Sequence, residues 1–555
     1  MKDRVLVKLL LLNLLFSFSA LAQHKPESSA NAFPEKNINW YNADLKGDKI
    51  AGVSVNKAYN LLLQGKKTRK TVIVAIIDSG VDIDHEDLKG RIWVNEKEIP
   101  ANGIDDDGNG YVDDIHGWGF LGNDKGKNIE TETYEYVRIL RKYDPVFKDI
   151  KSEADVPADQ IKDYKLYIKV KAKHEEEEAE QTKLSESLKK FEKVLHDVEQ
   201  IVLDHLGTRT YTVDDLKEIT SSSRRVLYAR DWLLDRYKQG FSKYELENMK
   251  KRNEAQLKEN LNLSYNPRVL IGDDIENIND SVYGNNDVKG PRADHGTPVS
   301  GVIGAIRGNG KGIDGIAEDV RFMVLRAVPN GDEYDKDIAL AIRYAVNNGA
   351  NVINMSFGKE YSPQKKFVDD AIRYAEAHNV LLVHAAGNSG YNIDDIIHYP
   401  SRTCVDGDSV RNWLEVGANS IKANKKLCAS FSNYGKKNVA LFAPGVDIVS
   451  LTEGNKYAMV SGTSFAGPVV SGVAALVWSY YPELTAIELR NILLNSCTNL
   501  NKKKVLIPGG KPDASRVPFS SLSSTGGIVN AYQALLMAEK MVSEKRKAYI
   551  ETLDN

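Results

Sequence analysis

The chain has 555 residues, of which 42% are hydrophobic and 27% are charged, and its formal net charge is −3. This length and composition predict one large domain with a sizeable core and an additional module. The small net charge provides no general attraction to nucleic acid or to an anionic membrane, so neither is expected as a partner. The oligomeric state is left open.

The amino terminus predicts an export signal in residues 1–22. Lys2 and Arg4 precede an apolar centre at residues 9–18, and Ala20-Leu21-Ala22 offers a small-x-small cleavage site. A retained membrane anchor is the alternative, but polar residues leave the apolar stretch short for a membrane span. We therefore expect an exported protein, periplasmic or secreted, with no stable membrane insertion after signal removal.

A continuous apolar run, Val72–Ile77, predicts a strand buried on both faces. Asp78 follows at its carboxyl end, in Asp78-Ser79-Gly80-Val81-Asp82, where open α/β sheets have their binding sites. An unpaired charge there would be costly, which favours a partnered, functional Asp78. An aspartate that only starts a turn is the alternative for this island taken alone.

An acidic segment at residues 102–114 resembles a calcium loop. Its oxygen-bearing residues fit ligand positions 1, 3, 5 and 9, but position 12 is His116 and not glutamate. The partial match predicts a structural Ca²⁺, with a plain acidic turn as the alternative. The candidate ligands are Asp105, Asp107, Asn109 and Asp113.

Residues 131–263 are charged and have a helical pattern. Apolar residues alternate steps of four and three, a heptad seam of nearly three repeats formed by Leu184, Leu188, Phe191, Leu195, Val198 and Val202. Thr212 and Asp215 resemble a capping box. The pattern predicts a mostly helical, partly coiled-coil module, either a lid that restricts bulky substrates or a packed decoration without separate function.

Two further islands carry reactive side chains at predicted helix starts. His295 precedes Gly296-Thr297 and a small-residue helix, and Ser464 follows Gly462 and opens a helix whose positive dipole end faces its hydroxyl. An ordinary histidine and a serine acting only as an N-cap are the alternatives. A serine hydroxyl becomes a nucleophile at neutral pH when an imidazole takes its proton and a carboxylate orients that imidazole.

The islands around Asp78, His295 and Ser464, in this order and with their flanking glycines, resemble those of the subtilisin-like serine peptidases, the subtilases. The resemblance runs from about residue 40 to residue 541 and is interrupted by residues 131–263. It implies an α/β fold with a doubly wound, mostly parallel sheet and helices on both faces. It also implies an extracytoplasmic serine endopeptidase that acts on protein or peptide substrates through this triad.

The same resemblance implies roles for residues outside the triad. Asn388, in Ala386-Gly387-Asn388, would donate to the oxyanion; an Asn-Ser-Gly turn is the alternative. Tyr334 would form an aromatic rim on a distal substrate pocket or be an exposed loop tyrosine. Asp87 and Asn309 match calcium ligands of the family. The strand edge that would pair with an extended substrate peptide is Ser356, Phe357 and Gly358.

The resemblance and the composition of the segments predict a signal, a tail, a catalytic domain in two parts around the helical insertion, and a second tail. The signal is residues 1–22 and the first tail is residues 23–39. The catalytic domain is residues 40–130 and 264–541, the helical insertion is residues 131–263, and the second tail is residues 542–555. A separate folding propeptide is not expected before the catalytic domain.

Some residues depart from the family pattern without removing a catalytic group. Phe465 stands where methionine is usual, which removes an oxidisable sulphur, and Pro298 and Gly467 are also unusual.

Cys404 and Cys428 could bridge, although free buried thiols are favoured. A catalytically silent or autoinhibited binding protein is the alternative function; degenerate relatives usually lose a triad or oxyanion residue, and this chain retains all four.

Overall fold

The computed structural model describes residues 25–510 and 515–553, so the predicted signal in residues 1–22 lies outside the described residues. The described chain forms two compact units. One is Tyr136–Tyr265, and the other consists of the chain on both sides of it. Each unit is described by itself below.

The larger unit is built on a nine-stranded sheet in the order β10-β13-β7-β6-β5-β4-β1-β3-β2. Neighbouring strands are parallel except β10 and β13, which are antiparallel. Two hairpins, β8-β9 and β11-β12, lie outside this sheet. The strands are β1 Val72–Asp78, β2 Gly117–Gly119, β3 Val320–Arg326, β4 Val352–Met355, β5 Leu381–Ala385, β6 Trp413–Asn419, β7 Leu441–Pro444, β8 Ile448–Thr452, β9 Lys456–Val460, β10 Thr498–Asn499, β11 Lys504–Leu506, β12 Arg516–Pro518 and β13 Gly527–Ile528.

The α-helices of the described chain are α1 Val55–Ala58, α2 Glu135–Phe147, α3 Ile161–Leu206, α4 Val213–Glu218, α5 Arg224–Lys238, α6 Lys243–Ala255, α7 Gly296–Gly304, α8 Asp335–Asn347, α9 Lys365–Ala377, α10 Thr463–Tyr480, α11 Ala486–Asn495 and α12 Ala531–Leu553. None of the described helices is long and apolar enough to cross a membrane.

Helices cover both faces of the sheet because its central strands are apolar on both sides. In β1, Val74 and Ile76 pack into one buried cluster, which includes residues of α7 and α10. Ala75 and Ile77 point to the opposite face and pack with α8 and α9. This alternation confirms the predicted doubly wound α/β fold.

The strand order reverses at β1. The chain passes from β1 to β2 and β3 on one side, and β4 lies on the other side of β1. The carboxyl ends of β1 and β4 meet, since Ile77 pairs with Met355. Such a reversal opens a crevice where α/β proteins bind ligands, and Asp78 and Ser356 are the residues at its two sides.

The smaller unit is helical, with its own apolar core. The predicted seam along the 46-residue helix α3 is confirmed: Leu188, Phe191, Leu195, Val198 and Val202 are buried and Leu184 packs against them. Residues of α4, α5 and α6 complete this core, among them Leu216, Leu233 and Leu246. The capping box of Thr212 and Asp215 is also confirmed.

The two ends of the helical unit are tied together. Arg141 of α2 donates from Nε to the carbonyl of Leu263 at 2.8 Å and from Nη2 to the carbonyl of Tyr265 at 2.6 Å. The chain therefore enters and leaves this unit at neighbouring points.

All three cysteines are free, and Cys404 and Cys428 are buried. The prediction of free buried thiols for this pair is confirmed. Burial raises the pKa of both thiols, so these sulphurs stay protonated and behave as small apolar groups.

Candidate active site

Asp78 and His295 form a hydrogen-bonded pair at the end of β1. The Asp78 side chain is 2% exposed, and its Oδ1 accepts from His295 Nδ1 at 2.8 Å and from the backbone N–H of Ser79 at 2.7 Å. A carboxylate on Nδ1 holds the proton there and leaves Nε2 of the neutral imidazole with its lone pair. The 217 residues that separate the two positions do not prevent this contact.

The Asp78 carboxylate also sets the basicity of His295. Burial lowers the pKa of His295, but the charge of Asp78 and its hydrogen bond raise it, and the net shift is upward from 6.5. The upward pull prevails because the Asp78 charge, its hydrogen bond and the charge of Asp294 together outweigh the desolvation. His295 is therefore a stronger base than a free histidine.

Ser464 lies in the first turn of α10, directly after Gly462 and Thr463. Its Oγ donates to the carbonyl of Ser356 at 3.2 Å, and Ser356 Oγ donates back to the carbonyl of Ser464 at 2.8 Å. This reciprocal pair joins the start of α10 to the end of β4. The ring of Phe465, one residue further, lies 5.5 Å from that of His295, which brings the helix start to the imidazole.

Asn388 follows β5, and its side-chain amide is oriented by the start of α10. Its Oδ1 accepts from the backbone N–H of Thr463 at 2.8 Å and from Thr463 Oγ1 at 2.9 Å. Two donors on the oxygen fix which end of the amide is Nδ2. A Cβ on Gly462 would lie 3.6 Å from both Asn388 Nδ2 and the backbone nitrogen of Ser464. The two nitrogens therefore lie beside the same space at Gly462.

A cleft of about 260 Å³ runs along this pair of strand ends. Asp78, His295 and Ser356–Gly358 line it, together with the loop at residues 328–331. The structure thus brings the predicted substrate segment and two predicted catalytic residues to one concave surface. Glu333 also lines the cleft, and burial raises the pKa of its carboxyl to about 7.

Tyr334 is not an exposed loop tyrosine, and that alternative is wrong. Its side chain is 5% exposed, and the Arg268 guanidinium lies 4.5 Å from its ring centre. The Arg268 charge is held in turn by a bidentate ion pair with Asp337. The aromatic ring is therefore packed against Arg268, and the cation over its face stabilises it there.

The wall of the cleft behind Phe357 contains polar groups that sequence reasoning missed. His384 Nε2 donates to the Phe357 carbonyl at 2.9 Å, while its Nδ1 lies 2.9 Å from Glu415 Oε1. His398 packs against them; its Nδ1 is enclosed without a hydrogen-bond partner among the described atoms. Burial and the neighbouring His384 lower the pKa of His398 to about 4. The sequence signal that could have indicated these groups is a single polar residue within each of two otherwise apolar strands.

The His398 ring also explains Gly358. A Cβ on Gly358 would lie 2.1 Å from His398 Cε1 and 2.9 Å from the Tyr399 carbonyl. Only glycine lets the substrate segment approach the loop at residues 398–401 this closely.

The acidic loop gathers some of its predicted ligands. One carboxylate oxygen from each of Glu98, Asp105 and Asp107 lies within 4.8 Å of the others, a set of oxygens that suits Ca²⁺. Glu98, outside the loop motif, was missed. Asn109 Oδ1 accepts from the Tyr111 N–H, and the Asp113 carboxylate accepts from the N–H groups of residues 102 and 103. The predicted ligands Asn109 and Asp113 are thus engaged with backbone, and so are Glu98, Asp105 and Asp107, whose carboxylates accept from N–H groups of the same loop.

Asp87 and Asn309 are in contact, but as a hydrogen-bonded pair. Asn309 Nδ2 donates to Asp87 Oδ1 at 2.5 Å, and the hydroxyl of Tyr457 donates to Oδ2 at 3.2 Å. Asn309 Oδ1 accepts from the backbone of Lys311. Calcium needs oxygens to face it, and here, as in the acidic loop, those oxygens accept hydrogen bonds, so Ca²⁺ at this pair stays a prediction.

The unusual residues of the active-site helices fit without strain. Pro298 is buried in the first turn of α7, where a proline removes no helical hydrogen bond. A Cβ on Gly467 would lie 3.7 Å from Asn354 Oδ1 and 3.8 Å from Ser356 Oγ, which is ordinary contact.

Comparison with known proteins gives the family of this chain. A thermophilic serine proteinase of Bacillus sp. (strain AK1) is 42% identical over 33% of this chain, and the chain spans less than half of it, 42%. Subtilisin DY of Bacillus licheniformis is 37% identical, over 37% of this chain and 71% of its own length. A structure from the subtilase cytotoxin SubAB assembly aligns at 25% identity, over 45% of this chain and 77% of its own, with a TM-score of 0.37. The model of the subtilase family matches residues 69–510, most of the chain, and the protein therefore belongs to that family.

Proposed function

We propose that this protein is an active serine endopeptidase whose triad is Asp78, His295 and Ser464. The observation that carries the proposal is the 2.8 Å bond from His295 Nδ1 to Asp78 Oδ1 in the crevice at the strand reversal, next to the helix that begins with Thr463 and Ser464. A tautomer held in this way presents Nε2 as a general base toward a nearby hydroxyl. The names of the relatives, proteinase and subtilisin, agree with this chemistry.

In the proposed reaction, Ser464 Oγ forms a bond to the scissile carbonyl carbon while its proton passes to His295 Nε2. The negative charge that develops on the carbonyl oxygen is stabilised by Asn388 Nδ2–H and the backbone N–H of Ser464. Collapse breaks the C–N bond, and His295 gives its proton to the leaving amine. Water then hydrolyses the acyl-enzyme by the same route, with His295 again as the base.

The hydroxyl of Ser464 must turn before it attacks. In the structure it donates to the Ser356 carbonyl at 3.2 Å. In the proposed reaction, rotation about its Cα–Cβ bond would direct it to the imidazole instead. Catalytic hydrogen bonds often form only when substrate is bound, so this resting contact is compatible with activity. An extended substrate beside β4 would displace water from the cleft and favour the reactive rotamer.

Substrate recognition is proposed to rest on backbone pairing. Ser356, Phe357 and Gly358 continue β4 into the cleft and line it. A peptide added as a further strand is held by main-chain hydrogen bonds, which are independent of side-chain identity. Broad specificity among unfolded proteins is the expected consequence.

The proposal is tested with the purified mature protein. It should be labelled covalently by a fluorophosphonate probe and should cleave unfolded casein, and Ser464→Ala should abolish both. Ser461→Ala, which removes a hydroxyl that accepts from the Asp447 backbone N–H, is the matched control and should keep both activities. A folded wild-type protein without labelling or cleavage would instead support the silent binding protein.

Two accessory features belong to the proposal. A structural Ca²⁺ is assigned to the acidic loop, with Glu98, Asp105 and Asp107 as the residues that would hold it. Action outside the cytoplasm is inferred from residues 1–22, and cell fractionation with and without these residues tests it and separates periplasm from medium.

A further inference from the structure

We propose that His384, His398 and Glu415 form a binding site for one divalent transition-metal ion of the zinc type, in the wall of the substrate cleft. One donor atom from each of the three lies within 4.8 Å of the other two. The inference rests on these side chains and their neighbours and does not depend on the proposed peptidase activity.

The donor set selects the class of ion. Two imidazole nitrogens and one carboxylate oxygen are a recurrent zinc set, whereas Ca²⁺ and Mg²⁺ prefer oxygens alone. Ligands on one tetrahedral zinc lie roughly 3.3 Å apart, given metal–ligand bonds of about 2.0–2.1 Å. His384 Nδ1 is already 2.9 Å from one Glu415 oxygen and 3.1 Å from the other, so small rotations suffice to admit the ion between them.

The strands hold two of the ligands rigidly. His384 of β5 and Glu415 of β6 are paired partners in adjacent parallel strands, and both are buried. Buried charge needs an opposite charge nearby. Within the part of the chain that the structure describes, the ion-pair partner within 4.0 Å of Glu415 is His384, which is charged only if protonated. Either a shared proton or a metal ion must therefore balance this carboxylate.

The surroundings of the two strand residues match the outer shell of a metal centre. A metal-bound histidine almost always donates its second N–H to a carbonyl or carboxylate, and His384 Nε2 donates to the Phe357 carbonyl at 2.9 Å. A ligating carboxylate is usually hydrogen-bonded as well, and Trp413 Nε1 donates to Glu415 Oε2 at 2.8 Å. The contact with the Phe357 carbonyl favours a proton on Nε2, which leaves the lone pair of Nδ1, on the Glu415 side, to bind a metal.

His398, the third residue, has a polar atom for which the structure shows no partner. His398 Nδ1 is enclosed and has no hydrogen-bond partner among the described atoms, a state that normally costs about 1–3 kcal/mol. The residue lies on the loop after β5, and its ring centre is 5.6 Å from that of His384. Coordination would satisfy the histidine and fasten this loop to the sheet.

The site also has an entry path and an open position. A cavity of about 440 Å³ is lined by His398 and Glu415, together with Tyr399 and residues 401–405. Three protein ligands leave one position of a tetrahedral ion for water or another small ligand from this cavity. The ion would stand one hydrogen bond away from Phe357 and so would stiffen the substrate segment.

The test uses the mature protein with Ser464→Ala. This variant cannot digest itself, whether the wild-type protein is an active peptidase or a silent binding protein. After chelator treatment, Zn²⁺ is titrated calorimetrically and Co²⁺ by visible absorption. We expect one equivalent of each, intense four- or five-coordinate Co²⁺ bands, and a higher Tm with zinc. His398→Gln and Glu415→Gln should each weaken Zn²⁺ binding by about 100-fold or more, beyond the 10–100-fold typical of an outer-shell change.

His378→Gln, a surface histidine that contacts the Tyr374 carbonyl, is the matched control and should bind zinc as the parent does. His398 lies on a loop and is less buried than Glu415, so its variant can be assayed even if Glu415→Gln fails to fold. Three results would overturn the proposal. These are no saturable zinc binding, affinity unchanged by His398→Gln, and zinc displaced by millimolar Ca²⁺, which would assign it to the acidic loop. The first of these leaves the shared proton as the partner of Glu415.

Discussion

The contact between Thr463 and Asn388 predicts that a residue outside the proposed triad orients the proposed oxyanion donor, Asn388. Thr463 Oγ1 donates to Asn388 Oδ1 at 2.9 Å and accepts from the Gly387 N–H at 3.1 Å. Thr463→Val keeps the shape of the side chain and removes both bonds. The backbone N–H of Thr463 still holds Asn388 Oδ1, so the amide is loosened and not released.

The magnitude follows from these bonds. Loss of a hydrogen bond costs about 0.5–1.5 kcal/mol net. Only the part of this free energy that is lost in the transition state, where the amide is misplaced, lowers kcat. We therefore expect kcat to fall by about 3- to 10-fold with Thr463→Val and KM to change little. Asn388→Ala removes the donor itself and should cost about 100- to 1,000-fold, a range established on a subtilisin.

The assay is a double-mutant cycle on a chromogenic peptide, with kcat and KM measured separately. Because Thr463 acts through Asn388, the valine should have no further effect once Asn388 is alanine. Thr463→Ser, which keeps the hydroxyl, should retain near-normal kcat. Equal loss of kcat from Thr463→Val in the presence and absence of Asn388 would refute the reasoning, since the threonine would then act by another route.

Four other expectations follow from the structure. The raised pKa of His295 predicts that kcat/KM falls as pH decreases through a value above 6.5, because the protonated imidazole cannot accept the serine proton; a pH profile checks this, and a limb at or below 6.5 contradicts it. In the Ser464→Ala background, Gly467→Ala should stabilise α10 by up to about 1 kcal/mol in urea unfolding, whereas Gly472→Ala, whose Cβ would lie 2.8 Å from Ile316 Cβ, should destabilise it by about 1–3 kcal/mol. Chelation should lower Tm, and Asp107→Asn should remove most of that sensitivity if calcium occupies the acidic loop; an equal chelator effect in the variant would exclude that loop. A fragment of residues 136–265 should be helical and unfold cooperatively by circular dichroism, because it has its own core; a non-cooperative melt would show that the core is insufficient.

Local patterns predicted the features that depend on neighbours in sequence. The apolar run before Asp78 indicated a buried strand with a functional end, and the seam of α3 indicated a buried stripe, since periodicity follows directly from strand and helix geometry. The order of Asp78, His295 and Ser464 along the chain indicated the family. These inferences needed no knowledge of which distant segments meet.

The sequence did not predict features that depend on contacts between residues distant along the chain. Glu98 reaches the acidic loop from outside its motif, and Tyr334 is buried because Arg268, distant in sequence, covers its ring. His384 and Glu415 are neighbours only through the register of β5 and β6. The contact of Ser464 with Ser356 is likewise a rotamer choice, which no residue pattern encodes.

The closed ends of the helical unit bear on how the chain folds. The pairing of Asp78 with His295 closes a loop of 217 residues, and the entropy lost in closing a flexible loop grows with its length. If the unit from Tyr136 to Tyr265 folds first, Arg141 bridges its ends and removes more than half of that loop. Each halving lowers the closure cost by only about 0.6 kcal/mol, so the insertion adds little to the search that assembles the triad.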